Sequence, residues 1–562
     1  MNRRVKVATL CLAALLAALS VFLINGTGLF YFDTGGYLHA GDGVFEALGL
    51  GGAPAMPVLA TPPNALPLST SETTPAPALP PVPHPEPVPE PAQAVEVAPT
   101  DQPGTVSTPA ASTVQPPAQS VVIGNRSALY GVVLSFAART GWLDLVVLVN
   151  LGALWLAIWI VVRVVQRDRG ARPEALAASA WLILAGCAGS LPFYVAFLMP
   201  DLLAPVLILM LAVLCIYPMT LQRGERAAAF ALALFAVLSH PSHLLMGAML
   251  VPLGAFISPA TRRYRWRMFA ALLVLVLGLG IAERVAFNRV VEVSTGASVI
   301  ILPFLTARLI DDGAGRAYLA DHCPDSREPA CALYDMLQRP GEKPERFDAP
   351  VILFSPDPAY GSYRLLAETD QQRIARDQVW FALRVIGSRP VSVVSAIAWN
   401  VIDQLEKSGI AMTIPTQEIV DRVVMEGGRI GPKYGAGRLI GLNPAVLQPV
   451  IAIHAAVYGL SALGIALFLA IPGGARRLAP FVWMVLCGIV VNALVCGAVS
   501  EPADRYGART MFLLPVMLAL LIQAAREDRS GRRLLAAVGR AGAFNAPNLQ
   551  RAALNRFQKL WL

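Results

Sequence analysis

Residues 26–41 read GTGLFYFDTGGYLHAG, and they follow an apolar segment long enough to cross a bilayer. The carboxylate of Asp33 therefore sits where the chain leaves the membrane. An acid there either caps a surface helix or serves as the working base of an enzyme. Other polar groups sit at comparable positions: Asp201 in LMPDLLAPVLIL, His240 and His243 in SHPSH, Glu283 with Arg284, and Glu501, Asp504, Arg505 and Tyr506 in SEPADRYGAR. Each also has a plainer reading. Asp201 follows a proline and precedes an apolar run, so it suits a cap. The two histidines suit a satisfied structural pair more often than a ligand pair. Glu501 and Arg505 are spaced i, i+4 and suit an exposed ion pair. Arg505 near a membrane surface is also a natural phosphate binder, because its planar fork matches phosphate oxygens.

The elements that must position these groups are membrane helices. Of the 562 residues, 55% are hydrophobic and only 15% charged, below the usual share for a soluble domain. The apolar residues come in blocks of roughly 20, the spanning length. The net charge of +8 lies in short basic clusters between those blocks. That arrangement points to cytoplasmic loops, not to nucleic acid.

Threading the chain by these clusters gives an all-α polytopic protein with about ten transmembrane helices and both termini cytoplasmic. Residues 1–51 hold the first span, at 7–25, and the start of the first external loop. Residues 52–120 are a Pro-rich insert, expected to be extended and without a core. Residues 121–287 hold a surface helix and spans two to seven, at 142–164, 174–197, 202–220, two short helices within 227–258, and 268–287. The 227–258 run is expected to cross twice, with SHPSH at the outer turn. A single kinked crossing is the alternative and would invert everything after it. Residues 288–445 form an external, mostly helical region lying on the membrane. Residues 446–525 hold spans eight to ten, and 526–562 a basic cytoplasmic tail. This threading gathers Asp33, Asp201, the histidines, Glu283 and Arg505 on the external side. Ionisable groups at membrane depth are costly and mark a site.

Five cysteines lie in apolar segments and read as packed thiols. Cys323 and Cys331 lie in HCPDSREPAC. Zinc with His322 is one reading, although the spacing fits no common zinc pattern, and a local disulfide is preferred if the stretch faces an oxidising compartment. No P-loop, Rossmann loop, HExxH or GxSxG occurs.

These features resemble the GT-C class of polytopic membrane glycosyltransferases, which includes protein O-mannosyltransferases and the aminoarabinose transferases of lipid A. The resemblance rests on Asp33 and Tyr37 in FDTGGYLHAG, on Tyr130, Phe136 and Gly141 in GNRSALYGVVLSFAARTG, on Asp201, and on Arg505 with Tyr506 in EPADRYGARTMFLLP. Two features depart from the class pattern: the insert splits the first loop, and the large external region precedes the last spans instead of following them. The resemblance implies a bacterial inner-membrane enzyme, with membrane lipids around it, that moves a sugar from a polyprenyl-phosphate donor to an acceptor of unassigned class. It implies Asp33 as general base. Asp201 orients the acceptor or shares a divalent metal, Mg or Mn, with Asp33. Arg505 holds the phosphate, and Tyr37, Tyr130, His240, His243, Glu501 and Tyr506 line the substrate cavity. A transporter or flippase, and a non-catalytic assembly subunit for surface polysaccharide, are the competing readings.

Overall fold

A computed structural model of the chain describes residues 3–50, 121–123, 126–171, 174–295, 298–323, 328–338, 348–358, 360–426, 430–470 and 477–527. The expected Pro-rich insert and nearly all of the expected basic tail lie outside these residues.

The fold is helical. The first apolar segment forms α1 (Arg3–Ala18) and α2 (Ser20–Asn25), joined through Leu19, whose N–H and C=O both keep helical hydrogen bonds at 3.0 and 2.8 Å. Gly26, at φ +85°, closes the helix with the left-handed cap that glycine adopts without cost. Two helices expected in the first external loop follow, α3 (Phe32–Ala47) and α4 (Ala128–Arg139). Then come α5 (Leu145–Asp168), α6 (Ala175–Cys187), α7 (Leu191–Ala196) and α8 (Leu203–Ile216). The sequence of α8, LAPVLILMLAVLCI, has no polar face, and every one of its residues is buried. A helix that is apolar all round belongs at the centre of the bundle.

The 227–258 run folds as two helices packed on each other, α9 (Arg223–Ser239) and α10 (Pro241–Ile257). The break falls at His240, where Pro241 supplies the first position of the new helix. Next come α11 (Arg262–Leu273) and α12 (Gly280–Thr295), continuous through a π-helical segment, Val274–Leu279. The last helices are α20 (Pro444–Ala470), α21 (Ala479–Val499), α22 (Asp504–Met511) and α23 (Leu513–Glu527).

Among the described residues, five helices are long and apolar enough to cross a membrane: Leu145–Asp168, Tyr264–Arg289, Pro444–Ala470, Ala479–Val499 and Asp504–Arg526. They coincide with expected spans two, seven, eight, nine and ten. Expected spans three, four and six fall on shorter apolar helices, Ala175–Cys187, Pro200–Ile216 and Pro241–Ile257, while expected spans one and five fall on α1 with α2 and on Arg223–Ser239. In Pro444–Ala470 only 22% of the apolar window is buried inside the protein, against 83% in Asp504–Arg526. An apolar helix with so much uncovered surface is solvated by lipid, so the chain is an integral membrane protein.

The region 288–445 has an apolar core of its own. Its helices are α13 (Phe304–Asp311), α14 (Ala314–His322), α15 (Cys331–Gln338), α16 (Ala349–Phe354), α17 (Glu368–Ser388), α18 (Pro390–Glu406) and the short α19 (Gln417–Val420). Helices α17 and α18 meet at a 111° bend and would count as a sixth span if taken as one broken helix. Cys323 and Cys331 are joined as a disulfide between α14 and α15. One short parallel pair, β1 (Val121–Ile123) with β2 (Ser298–Ile300), ties the start of this region to the chain entering α4, in the register Val121↔Ser298.

Candidate functional site

The site begins with a short extended run. Between α2 and α3, Leu29 pairs in parallel with Phe197: Leu29 N–H donates to Ala196 C=O at 2.8 Å, and Leu198 N–H donates to Leu29 C=O at 2.7 Å. Gly28 permits the approach, since a Cβ there would lie 2.8 Å from the Leu198 side chain. Asp144 Oδ1 accepts from Gly28 N–H at 2.9 Å, and Asn150 Nδ2 donates to Phe197 C=O at 2.9 Å. The bridge brings the start of α3, with Asp33, beside the 3-10 turn Pro200–Leu202, with Asp201.

Neither acid acts as a cap. Thr34 Oγ1 accepts from Tyr31 N–H at 3.0 Å and closes the start of α3. Asp201 makes no capping hydrogen bond either. Both carboxylates turn instead to arginines. Arg505 grips Asp201 with two parallel bonds, Nε to Oδ1 at 3.1 Å and Nη2 to Oδ2 at 2.9 Å, and its third nitrogen, Nη1, reaches Asp33 Oδ2 at 3.3 Å. Asp33 Oδ1 accepts from Arg126 Nη2. One turn beyond Arg505 on α22, Arg509 Nη1 reaches Asp201 Oδ1 at 3.4 Å. Asn492 Oδ1 accepts from Arg509 Nε at 3.0 Å and Nη2 at 2.8 Å, while its Nδ2 donates to Tyr506 C=O at 2.8 Å. The Arg505 guanidinium lies 4.7 Å from the Tyr31 ring centre and 5.5 Å from those of Phe197 and Tyr506.

The cluster thus has a sealed side and an open one. The side chains of Asp201 and Arg505 are 1% and 3% exposed, whereas those of Asp33 and Arg126 are 21% and 29% exposed. Three guanidiniums face two carboxylates, which leaves the group net positive and suited to an anion. It does not suit the divalent metal that is one of the two alternatives the resemblance offers for Asp201. Both carboxylates already accept from arginines, and the surplus charge repels a cation. No group of three or more metal-ligating side chains converges among the described residues.

The other expected site residues fall into four places. Tyr37 and Tyr130 meet edge to face at 5.4 Å where α3 packs on α4, and the buried Tyr37 hydroxyl has no partner among the described residues. Arg126 lies 5.9 Å from the centre of the Tyr37 ring. His240 caps α10, its Nδ1 accepting from Ser242 N–H at 3.1 Å. His243 Nδ1 lies 2.9 Å from Ala236 C=O, so this nitrogen carries the proton and the buried Nε2 is left without a partner among the described residues. Both rings are within electrostatic reach of the cluster, His243 of Asp201 and Arg509, and His240 of Arg126, Arg505 and Arg509.

Glu501 stands apart. It does not pair with Arg505, whose charge is taken by Asp201 and Asp33. It faces Asp348, Asp311, Arg308 and Lys407, and burial together with the two aspartates pushes its carboxyl above the usual glutamate range. Glu283 pairs with Arg284, and Arg284 Nη1 donates to the Arg126 carbonyl at 3.2 Å.

Sequence reasoning missed Arg126, Arg509, Asn492 and Tyr31. Arg509 was detectable, since it repeats Arg505 at i+4 and must share its face. Arg126 gave no signal, because 93 residues, most of them Pro-rich, separate it from Asp33. Comparison with protein-family models, with curated proteins and with solved structures finds no match.

Proposed function

We propose that the protein is a membrane glycosyltransferase of the GT-C kind, moving a sugar from a polyprenyl-phosphate donor to an acceptor on the external face. The observation that carries this reading is the junction of Asp33, Asp201 and Arg505, three groups from distant segments that meet at one end of the bundle. The opposite end bears the basic clusters, where Glu225 accepts from Arg167 Nη1 at 2.8 Å and Nη2 at 2.7 Å. By the positive-inside rule that end is cytoplasmic and the aspartate end external. The full reading retains ten crossings, the shorter helices completing the count, in a bacterial inner membrane with both termini inside.

In the proposed reaction an acceptor hydroxyl attacks the anomeric carbon as its proton passes to Asp33. The bond from that carbon to the phosphate oxygen breaks, and the phosphate leaves with the electron pair. A single displacement inverts the anomeric centre. The phosphate is already a good leaving group, so a cation suffices in place of a strong acid. The geometry supports a changed role for Arg505. Its fork is spent on Asp201, so it acts as the brace that aligns the two aspartates.

A non-catalytic assembly subunit is the second reading, and it draws on the same fact that every carboxylate oxygen of the pair already has a partner. The deciding experiment is transfer of label from a pool of radiolabelled polyprenyl-phosphate sugars to membrane fractions, with protein in lipid nanodiscs. Transfer by wild type and near-total loss in Asp33→Asn, with thermal stability retained, is the expected result. Equal transfer by both removes Asp33 from the chemistry. Absence of both transfer and donor binding favours the assembly reading.

A further inference from the structure

The working base of the proposed reaction is blocked as it stands. Asp33 Oδ2 accepts from Arg505, which is fixed by its fork on buried Asp201 and by the rings of Tyr31, Phe197 and Tyr506. Asp33 Oδ1 accepts from Arg126. An oxygen already engaged by a guanidinium is poorly placed to take a proton from an incoming hydroxyl. The two arginines differ in freedom. Arg505 is 3% exposed, whereas the Arg126 side chain is 29% exposed, and among the described residues its guanidinium meets Asp33 and the face of Tyr37. The backbone of Arg126 is anchored, through its carbonyl on Arg284 Nη1 and through Ser127 as the N-cap of α4. Arg126 is therefore the less enclosed cation on the base, at the open edge of a cluster with one positive charge to spare.

Resting on the lipid-phosphate reading above, we infer that Arg126 is a positioning residue that exchanges between Asp33 and the phosphate of the donor. In the empty site it covers Asp33 Oδ1. The entering phosphodiester draws it off, and the freed oxygen faces the acceptor hydroxyl. The exchange strengthens as the reaction proceeds. Asp33 becomes neutral when it takes the proton and loses its hold on Arg126. The phosphate passes from one negative charge in the donor diester to about two in the released monoester. The clamp thus binds the transition state more strongly than the ground state, which is the requirement for catalysis. It also keeps the base covered until a donor is present.

Exchange has a signature that simple phosphate binding lacks: Asp33 competes with the ligand for Arg126, so the gain in anion affinity on removing the Asp33 charge depends on Arg126 being present. Removing the Asp33 charge must therefore tighten anion binding. The test is calorimetric titration of full-length protein in neutral-lipid nanodiscs with farnesyl monophosphate, with farnesol and inorganic phosphate as separate arms. Wild type should bind farnesyl phosphate and not farnesol. Asp33→Asn should bind on the order of tenfold more tightly, and Arg126→Gln about tenfold more weakly. In the double variant the gain from Asp33→Asn should vanish. Arg126→Lys, which keeps the charge, should retain most of the binding and guards against a misfolded Gln variant. If Asp33→Asn binds no better than wild type while Arg126→Gln binds worse, the exchange is wrong and the lipid-phosphate reading survives. If Arg126→Gln binds as wild type, the exchange is likewise wrong. If inorganic phosphate competes as strongly as farnesyl phosphate, or neither wild type nor Asp33→Asn binds the lipid phosphate, the lipid-linked donor itself falls and the exchange falls with it.

Discussion

Asp201 and Asp33 are both paired acids, yet their removal should differ. Asp201 neutralises two buried guanidiniums, and Asp201→Asn leaves Arg509 without a carboxylate and Arg505 with its 3.3 Å contact to Asp33 alone. Breaking a buried pair by deleting one partner costs about 3–5 kcal/mol, so a clear drop in melting temperature by scanning fluorimetry is expected. Asp33 lies at the exposed rim, and Asp33→Asn should leave the melt almost unchanged while removing transfer. Arg505→Lys keeps the charge and loses the fork. With the aspartates no longer aligned, transfer should fall on the order of 10²-fold, measured as initial rate under saturating donor. Glu501 predicts a pH effect. Its folded-state carboxyl is raised, so the protonated form is favoured in the fold, and its contribution is complete below the unfolded value and lost as pH rises through the raised one. Wild type should therefore lose stability relative to Glu501→Gln as pH climbs from the ordinary glutamate value toward neutrality, read from melts of both proteins across that window.

Helix α3 carries Asp33, and its placement rests on a glycine contact with α4. A Cβ on Gly41 would lie 2.0 Å from the Gly131 carbonyl oxygen, and one on Gly131 would lie 2.5 Å from that of Tyr37. Gly41→Ala must spread the two helices and pull Asp33 from Arg126, so both melting temperature and transfer should fall. Gly43, two residues on, meets nothing within 4 Å of its would-be Cβ. Gly43→Ala should stabilise by about 0.5–1 kcal/mol, and loss of stability there would contradict the packing. At this scale the sequence was readable where chemistry forces the backbone. The SHPSH break gave the α9–α10 turn because a proline at the first helical position starts a helix. Asp33, Asp201 and Arg505 were readable because charge is rare beside apolar blocks. The Gly41–Gly131 contact was not, since neither glycine stands in a turn and their meeting depends on which helix packs beside which. The capping expectation for Asp33 failed for a local reason: Thr34, one residue later, closes the helix with its hydroxyl.

Across the whole molecule, the positions of charge define the two ends. Arg163 and Arg167 hold Glu225 at one end, and the aspartate–arginine cluster lies at the other. This orientation predicts that Cys323 and Cys331, bonded to each other, face the external side. A membrane-impermeant thiol reagent applied to intact spheroplasts should label them only after reduction. Labelling that appears only in inverted vesicles, which turn the cytoplasmic face outward, would reverse the threading.

One further consequence follows from the way α3 lies on α4. Gly36 sits by Arg126, Asp42 accepts from Ser135, and Arg139 reaches the Leu50 carbonyl, so the two helices run in the same direction. The far end of α3 and the start of α4 are therefore separated by the length of the 16-residue helix, about 24 Å. Extended backbone covers that distance in roughly eight residues, while the chain supplies residues 51–120. The sequence between the two helices is far longer than that distance requires. Trimming it to a dozen Gly/Ser residues should leave the folded protein and its melt intact, and whatever is lost in the cell would then belong to the surplus alone.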